Sequence, residues 1–343
     1  MLQPSQDTRD RARTGGRVDE CIYAALDLGT NNCRLLVASL EPSSQPQDAH
    51  GLPALRVFDS FSRIVRLGEG VSQTGKLSNE AMERTMVALK ACQKKLAKYR
   101  LAGARFVATE ACRRAANAPE FLEQVRKETG LAIDIISTEE EAHLAFMGCS
   151  SLLTGHASRA IVFDIGGGST ELMWIDIEQA KKIIDWLSVD FGVMNLADKF
   201  GGSNFSDIAF EDMVQTLAMR LKPFNERNQI SRVIGNAKVQ LLSTSGTVTT
   251  LAAIHLDLPR YDRSRIDGIK LGVADIRATI RKLLAMRPSE RFHHPCIGAD
   301  RADYILSGCA IFEAISSLWP TGEITIADRG VREGIILSLV TGK

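Results

Sequence analysis

The chain has 343 residues, with 42 Lys and Arg against 41 Asp and Glu, so a net charge of +1 supplies no global field toward nucleic acid or a membrane surface. Hydrophobic residues make up 45%, enough for ordinary cores, and the length suits two domains of roughly 150 residues. No apolar run approaches the roughly 20 residues that cross a bilayer, and the seven cysteines (21, 33, 92, 112, 149, 296 and 309) lack metal-ligand spacing and read as reduced, mostly buried thiols of a cytoplasmic protein.

Residues 1–20 lack an apolar stretch and read as a disordered tail rather than a secretory signal. The first predicted element is a hairpin in "AALDLGTNNCRLLV" (24–37): a strand, an Asp27-x-Gly29 turn and a second strand. The Pro- and Ser-rich stretch 41–54 reads as a loop, and 55–67 as a strand. A helix follows, with Ser78 as its N-cap and Met82, Met86, Leu89 and Leu96 on one face. Strand 104–109, helix 117–130 closed by Gly130, and strand 132–137 complete the first half. The second half repeats the theme: hairpin 159–176, strand 183–189, a helix in 207–227, strand 239–243 and helix 247–256. Helices at 273–286 and 303–318, strand 323–328 and helix 331–340 close the chain. Strands alternating with helices predict an α/β architecture.

Within the second hairpin, "IVFDIGGGSTE" (161–171) places Gly166, Gly167 and Gly168 between Asp164 and Glu171. One reading is a tight turn alone, since glycine supplies the positive φ that such turns need. The other is an anion cradle: glycines followed by Ser169 and Thr170 expose backbone N–H groups with no bulky side chain above them. Recurrence favours the cradle. Aligning Asp27 with Asp164 puts Gly29 on Gly166, Asn32 on Ser169 and Leu35 on Leu172. A third stretch, "LLSTSGTVTTLAA" (241–253), runs a strand through Ser245-Gly246-Thr247 into a helix, whose N-terminus faces anions. The ordered trio predicts two related halves clamping a polyphosphate, with Asp164 able to hold a divalent metal through oxygen.

At 136–148, "ISTEEEAHLAFMG" offers two readings. Thr138 with Glu141, or Ser137 with Glu140, has capping-box spacing, and acids suit a helix start. Alternatively, one carboxylate faces the clamp and orients a water for attack on a terminal phosphoryl group. Upstream, "ATEACRRAAN" (108–117) sets Arg113 and Arg114 just beyond a strand end, where α/β proteins bind ligands and a guanidinium matches phosphate. His293 and His294, adjacent in a Pro-flanked loop, read as surface residues rather than metal ligands.

Taken in order, these segments resemble the exopolyphosphatase / guanosine pentaphosphate phosphohydrolase (Ppx/GppA) family. The matching stretches are "ALDLGTNNCRLLVA", "RLGEGV" (66–71), "ATEACRRAAN", "IISTEEEAHLAFMG", "VFDIGGGSTEL", "STSGT", "GADRADYILSGCAIFEAI" (298–315) and "ADRGVREGI" (327–335). The resemblance implies two actin-like (ribonuclease H-like) domains with the active site in the cleft between them. Residues 21–144 plus 329–343 would form the first and 145–328 the second. It implies Glu141 as catalytic base, assisted by Glu171, and Asp27, Asp164 and Glu171 as residues that hold Mg²⁺. Phosphates would rest on Gly29, Thr30, Asn31, Asn32, Arg34 and Arg113, on Gly166–Ser169, and on Ser245, Gly246 and Thr247. The substrate would be inorganic polyphosphate, guanosine pentaphosphate or both, with no organic cofactor, no nucleic-acid or membrane partner, and a homodimer as the assembly.

Three features depart from the family pattern. His143 stands where arginine often follows Glu-Glu-Ala, and Ser243 where the third loop often begins with glycine. The sequence ends at Lys343 without the C-terminal helical region of longer members, an expectation of better activity on short chains than on long ones. Other functional classes are an ATP-using sugar kinase or chaperone-like ATPase, whose Gly-Gly adenosine pocket is not recognisable here, and a non-catalytic sensor, against which the intact acids argue.

Overall fold

The computed structural model describes residues 21–40, 55–154, 156–179, 181–200 and 205–342. The predicted tail (1–20) and Pro- and Ser-rich loop (41–54) lie outside them. Among the described residues two sheets form. The first contains β1 (Ile22–Leu28), β2 (Asn32–Leu40), β3 (Leu55–Ile64), β4 (Leu101–Ala108) and β5 (Asp134–Ile135), in the order β3-β2-β1-β4-β5. The second contains β6 (Arg159–Ile165), β7 (Thr170–Asp176), β8 (Lys182–Val189), β9 (Val239–Ser243), β10 (Lys270–Gly272) and β11 (Glu323–Ile326), in the order β10-β11-β9-β6-β7-β8.

The two sheets share one plan. In each, three consecutive strands pair antiparallel, and the first of them pairs parallel with a strand reached through helical connections. A further parallel strand follows, β5 in the first sheet and β11 in the second. Only β10, an antiparallel edge strand, breaks the correspondence. This is the doubled α/β core of the actin-like fold. Ala24, Ala25 and Leu26 of β1 are all fully buried, because helices cover both faces of the sheet. That explains why its sequence reads as a continuous apolar run rather than an alternation.

One face of the first sheet packs on the helices Asn79–Leu96 and Ala118–Thr129. Its other face meets Leu144 of the helix Thr138–Cys149 and Ile335 and Ile336 of the helix Val331–Thr341. The helix Thr138–Cys149 also gives Ala142, Phe146 and Cys149 to the second sheet, so it joins both halves, and the boundary expected between 144 and 145 falls inside it. The helices Thr138–Cys149 and Val331–Thr341 cross with their backbones in contact. A Cβ on Gly334 would fall on the Leu144 carbonyl, and one on Gly148 on the Gly330 carbonyl.

Ser78 caps its helix by accepting from Ala81 N at 3.2 Å, and Gly130 ends the next at φ 73°. Met86, Leu89 and Leu96 are buried and Met82 partly so. The strand predicted at 132–137 shrinks to Asp134–Ile135. Short helices at Glu110–Arg114, Val193–Phe200, Ile230–Asn236 and Pro288–His293 carried no clear sequence signal. The start of Val193–Phe200 shows why. Val193 N and Met194 N donate to the carbonyls of Gly166 and Gly167 at 3.0 and 2.9 Å, so its cap comes from a distant turn rather than a local side chain. Six of the seven cysteines are buried and Cys21 is exposed. No helix among the described residues is long and apolar enough to cross a membrane.

Candidate active site

The two hairpin turns are built alike. Gly29 N donates to Asn32 O at 2.9 Å, and Gly166 N donates to Ser169 O at 2.9 Å. Across the strands, Asp27 faces Arg34 and Asp164 faces Glu171. The repeat thus places Arg34 and Glu171 at equivalent positions with opposite charge. The turns approach so closely that a Cβ on Gly167 would lie 3.1 Å from Thr30 Cβ and 3.2 Å from Asn31 N. A side chain there would have to push the first turn back by a few tenths of an ångström.

Between the turns lies a cavity of about 130 Å³, room for about four waters. From the first hairpin it is lined by Asp27, Gly29, Thr30, Asn31, Asn32 and Arg34, and from the second by Asp164, Gly166, Gly167, Gly168, Ser169 and Glu171. Glu141, Gly246 and Thr247 complete the predicted residues that reach it. The second turn has its carbonyls occupied: Gly166 O and Gly167 O accept from Val193 N and Met194 N, and Gly168 O accepts from Asn195 Nδ2 at 2.6 Å. Among the described residues no partner takes the N–H groups of Gly167, Gly168 or Ser169, which leaves them as anion donors. The helix Gly246–His255 points its N-terminus at the same space, with Ser245 Oγ accepting from Val248 N at 3.1 Å.

Two predicted phosphate contacts do not line the cavity. Ser245 is fully buried, and its hydroxyl is spent on the helix cap. Arg113 lies behind Glu141. Its Nη1 donates to the Ile136 carbonyl at 2.9 Å and sits 2.8 Å from Glu141 Oε2. Its charge therefore acts on the carboxylate and is corrected here from a phosphate contact to a partner of Glu141. The capping readings also resolve. Ser137 is the N-cap, accepting from Glu140 N at 3.1 Å, while the Glu140 carboxylate turns to Arg105 and Glu141 is left to the cavity. His143 is exposed on the same helix, outside the cavity lining, as is His293 at the end of the helix Pro288–His293 rather than on the expected loop.

Sequence reasoning missed several lining residues, notably Thr109, Glu110, Arg301 and Tyr304. The repeat held the signal for the first two, because β4 is the counterpart of β9 and its trailing loop, Thr109–Glu110, corresponds to the loop that begins the helix Gly246–His255. Arg301 donates to Thr250 Oγ1 at 2.9 Å, and the Arg66 guanidinium stacks over the Tyr304 ring at 5.2 Å, linking the first half to the second.

Five carboxyls line this space, and burial disfavours the charge on Asp27, Glu141, Asp164 and Glu171. Burial raises Asp27 and Asp164 above the usual carboxylate range, against the pull of Arg34 on both. Glu141 is pushed up to about 7 by burial, with Arg113 opposing the shift and the charges of Asp27 and Asp164 adding to it. Glu171 is raised well above its ordinary value by burial and by the charge of Glu141, even though Ser169 Oγ (2.5 Å) and Ser188 Oγ (3.0 Å) donate to its Oε1. Three lining oxygens, Asn31 Oδ1, Glu110 Oε2 and Glu141 Oε2, are buried without an aligned hydrogen-bond donor. Among the described residues no three His, Cys, Asp or Glu side chains converge as a preformed metal site. The donors present are hard oxygens, which suit a Mg²⁺ ion held by one or two carboxylates together with phosphate.

The family model described as the Ppx/GppA phosphatase family matches residues 47–342. The chain is 29% identical over 329 residues to exopolyphosphatase 2 of Mycobacterium tuberculosis, covering 92% of this chain and 98% of that protein. It is also 29% identical over 320 residues to the guanosine-5'-triphosphate,3'-diphosphate pyrophosphatase of Aeromonas hydrophila, covering 93% of this chain and 59% of that one. Its fold is similar to the crystal structure of the Aquifex aeolicus Ppx/GppA family member, with a TM-score of 0.74, 27% identity and coverage of 94% of this chain and 98% of that one.

Proposed function

The chain belongs to the Ppx/GppA phosphatase family, and from that premise we propose that it hydrolyses the terminal phosphoanhydride of inorganic polyphosphate. The observation that carries this reading is Glu141: a largely buried carboxyl at about 7, held by Arg113 through Oε2 and lining a cavity walled by exposed backbone N–H groups. A base poised near the working pH is the kind that takes a proton from water in a transition state.

In this mechanism the terminal phosphoryl group rests on the N–H groups of Gly167, Gly168 and Ser169 and on the N-terminus of the helix Gly246–His255. Arg34 and Arg301 offset its charge from the two halves. Glu141 accepts a proton as a water oxygen bonds to the terminal phosphorus. The bridging P–O bond breaks in line, giving orthophosphate and a chain one unit shorter. Positioning and electrostatics carry most of such a reaction. Asp27, Asp164 and Glu171 are the residues that would hold Mg²⁺, which when bound offsets charge on the phosphates. Glu171, fixed by Ser169 and Ser188, keeps its carboxyl turned to the cavity. The similarity to the Aeromonas hydrophila pyrophosphatase supports guanosine pentaphosphate as a second substrate, since its 5' end presents the same anhydride. The homodimer and cytoplasmic setting belong to the same proposal and rest on the resemblance.

Phosphate release from tripolyphosphate, long polyphosphate and guanosine pentaphosphate, measured side by side with Mg²⁺, tests the reading. Release from at least one of them supports it. No release from any, with the protein folded by circular dichroism, refutes it.

A further inference from the structure

We propose that a second divalent cation of the Mg²⁺ class binds at the Asn31–Glu110 end of the cavity, apart from Asp27, Asp164 and Glu171. Asn31 and Glu110 line the cavity and are 9% and 7% exposed, and Asn31 Oδ1 and Glu110 Oε2 lie buried there without a hydrogen-bond donor. Such buried oxygens are rare in folded proteins and each calls for a partner. The other Glu110 oxygen accepts from Arg114 Nη1 at 3.2 Å, which fixes the carboxylate and leaves Oε2 without a donor.

The two oxygens flank the same turn. A Cβ on Gly167 would lie 3.2 Å from Asn31 Cβ, and one on Gly168 would lie 2.9 Å from Glu110 Cδ. Gly168 is also where N–H groups wait for a phosphate. A bare carboxylate beside a phosphate cradle would repel the substrate, and both partners are acceptors only. A cation between them resolves the conflict, because it accepts lone pairs from the carboxylate, the amide oxygen and the phosphate together. One carboxylate with a carbonyl oxygen, waters and substrate phosphate is a donor set that Mg²⁺ uses. The proposal rests on the reading of the cleft as a polyphosphate site, and its consequence is a clamp with one cation on each side of the bound chain.

The test is binding of Mn²⁺ in the presence of inorganic phosphate, followed by electron paramagnetic resonance on the purified full-length chain, for the parent, Glu110→Gln, Asn31→Ala and Asp164→Asn. The parent is expected to hold two ions. Glu110→Gln keeps the shape of the side chain and should weaken one site at least about tenfold, as should Asn31→Ala, while Asp164→Asn should weaken the other. Parent-like counts and affinities in both Glu110→Gln and Asn31→Ala overturn the proposal, as does a parent that holds a single ion. Phosphate release from tripolyphosphate on the same samples separates the two ideas: a parent that releases phosphate but binds Mn²⁺ independently of Glu110 and Asn31 refutes only the second cation.

Discussion

Arg113 Nη1 lies 2.8 Å from Glu141 Oε2 while donating its aligned hydrogen bond, at 2.9 Å, to the Ile136 carbonyl. The cation thus lowers the cost of ionising Glu141 through Oε2. Arg113→Met should raise the Glu141 pKa above its value of about 7, because the opposing charge is gone while burial remains. A base works only when deprotonated, so activity near pH 7 should fall and recover toward pH 9, with the acidic limb of the kcat profile displaced upward. A profile that merely scales down, with its midpoint unmoved, would show that Arg113 acts elsewhere.

The crowd of carboxyls makes stability depend on pH. Asp27, Glu141, Asp164 and Glu171 all have pKa values raised by burial. Between the unfolded carboxylate range near 4 and the raised folded values, the native state binds more protons than the unfolded one. Stability therefore falls as pH rises through this window. In metal-free buffer the Tm should drop between pH 5 and pH 8, Glu171→Gln should lessen the drop, and millimolar Mg²⁺ should raise Tm more at pH 8 than at pH 5. Thermal melts across this range check it, and a Tm that rises to pH 8 with no effect of Glu171→Gln contradicts it.

Charge supplied by Arg34 should appear in substrate affinity. Its guanidinium lies across the cleft, where a Cβ on Gly246 would approach Nη2 to 3.7 Å, and it pulls on both Asp27 and Asp164. Arg34→Met should raise KM for tripolyphosphate, and by a larger factor at low ionic strength than at high, because salt screens what the arginine contributes. Equal KM values for parent and variant at both ionic strengths would remove Arg34 from the site.

The crossing of the helices Thr138–Cys149 and Val331–Thr341 depends on Gly334, where a Cβ would strike the Leu144 carbonyl. Gly334→Ala should cost about 3 kcal/mol, since backbone on both sides must move. Gly235→Ala, in the helix Ile230–Asn236 with nothing within 4 Å of the new methyl, should be neutral or stabilise by about 0.5 kcal/mol. Urea unfolding of both variants checks the contrast, and similar midpoints would show that the two helices are not locked together.

The hairpin repeat was legible because each turn is local: Asp27 to Asn32 and Asp164 to Ser169 carry their own geometry in consecutive residues. The family resemblance singled out Glu141, but its residues alone made it legible only as one of three acids, since Ser137 and Thr138 offered equivalent caps until the helix start was known. Arg113 was misplaced for the opposite reason. A residue at a strand end points toward the ligand side of the sheet, but whether it reaches ligand or a neighbouring carboxylate depends on the helix Thr138–Cys149 packing beside it. The helix Val193–Phe200, capped by Gly166 and Gly167 carbonyls, and Arg301, brought in from late in the chain, depend on tertiary contacts with no local signature. Glu110 lay within reach had the repeat been carried one strand further.

Glu141→Gln tests the central claim most directly, with tripolyphosphate turnover and tripolyphosphate binding measured on the same preparation. The amide keeps the size of the side chain, and Ser137 still caps the helix. If Glu141 is the base, turnover falls about 10²- to 10⁴-fold while the Kd stays close to that of the parent. Turnover within about tenfold of the parent, at an unchanged Kd, would mean that Glu141 takes no proton from water and that the chemistry of this cleft lies with another residue.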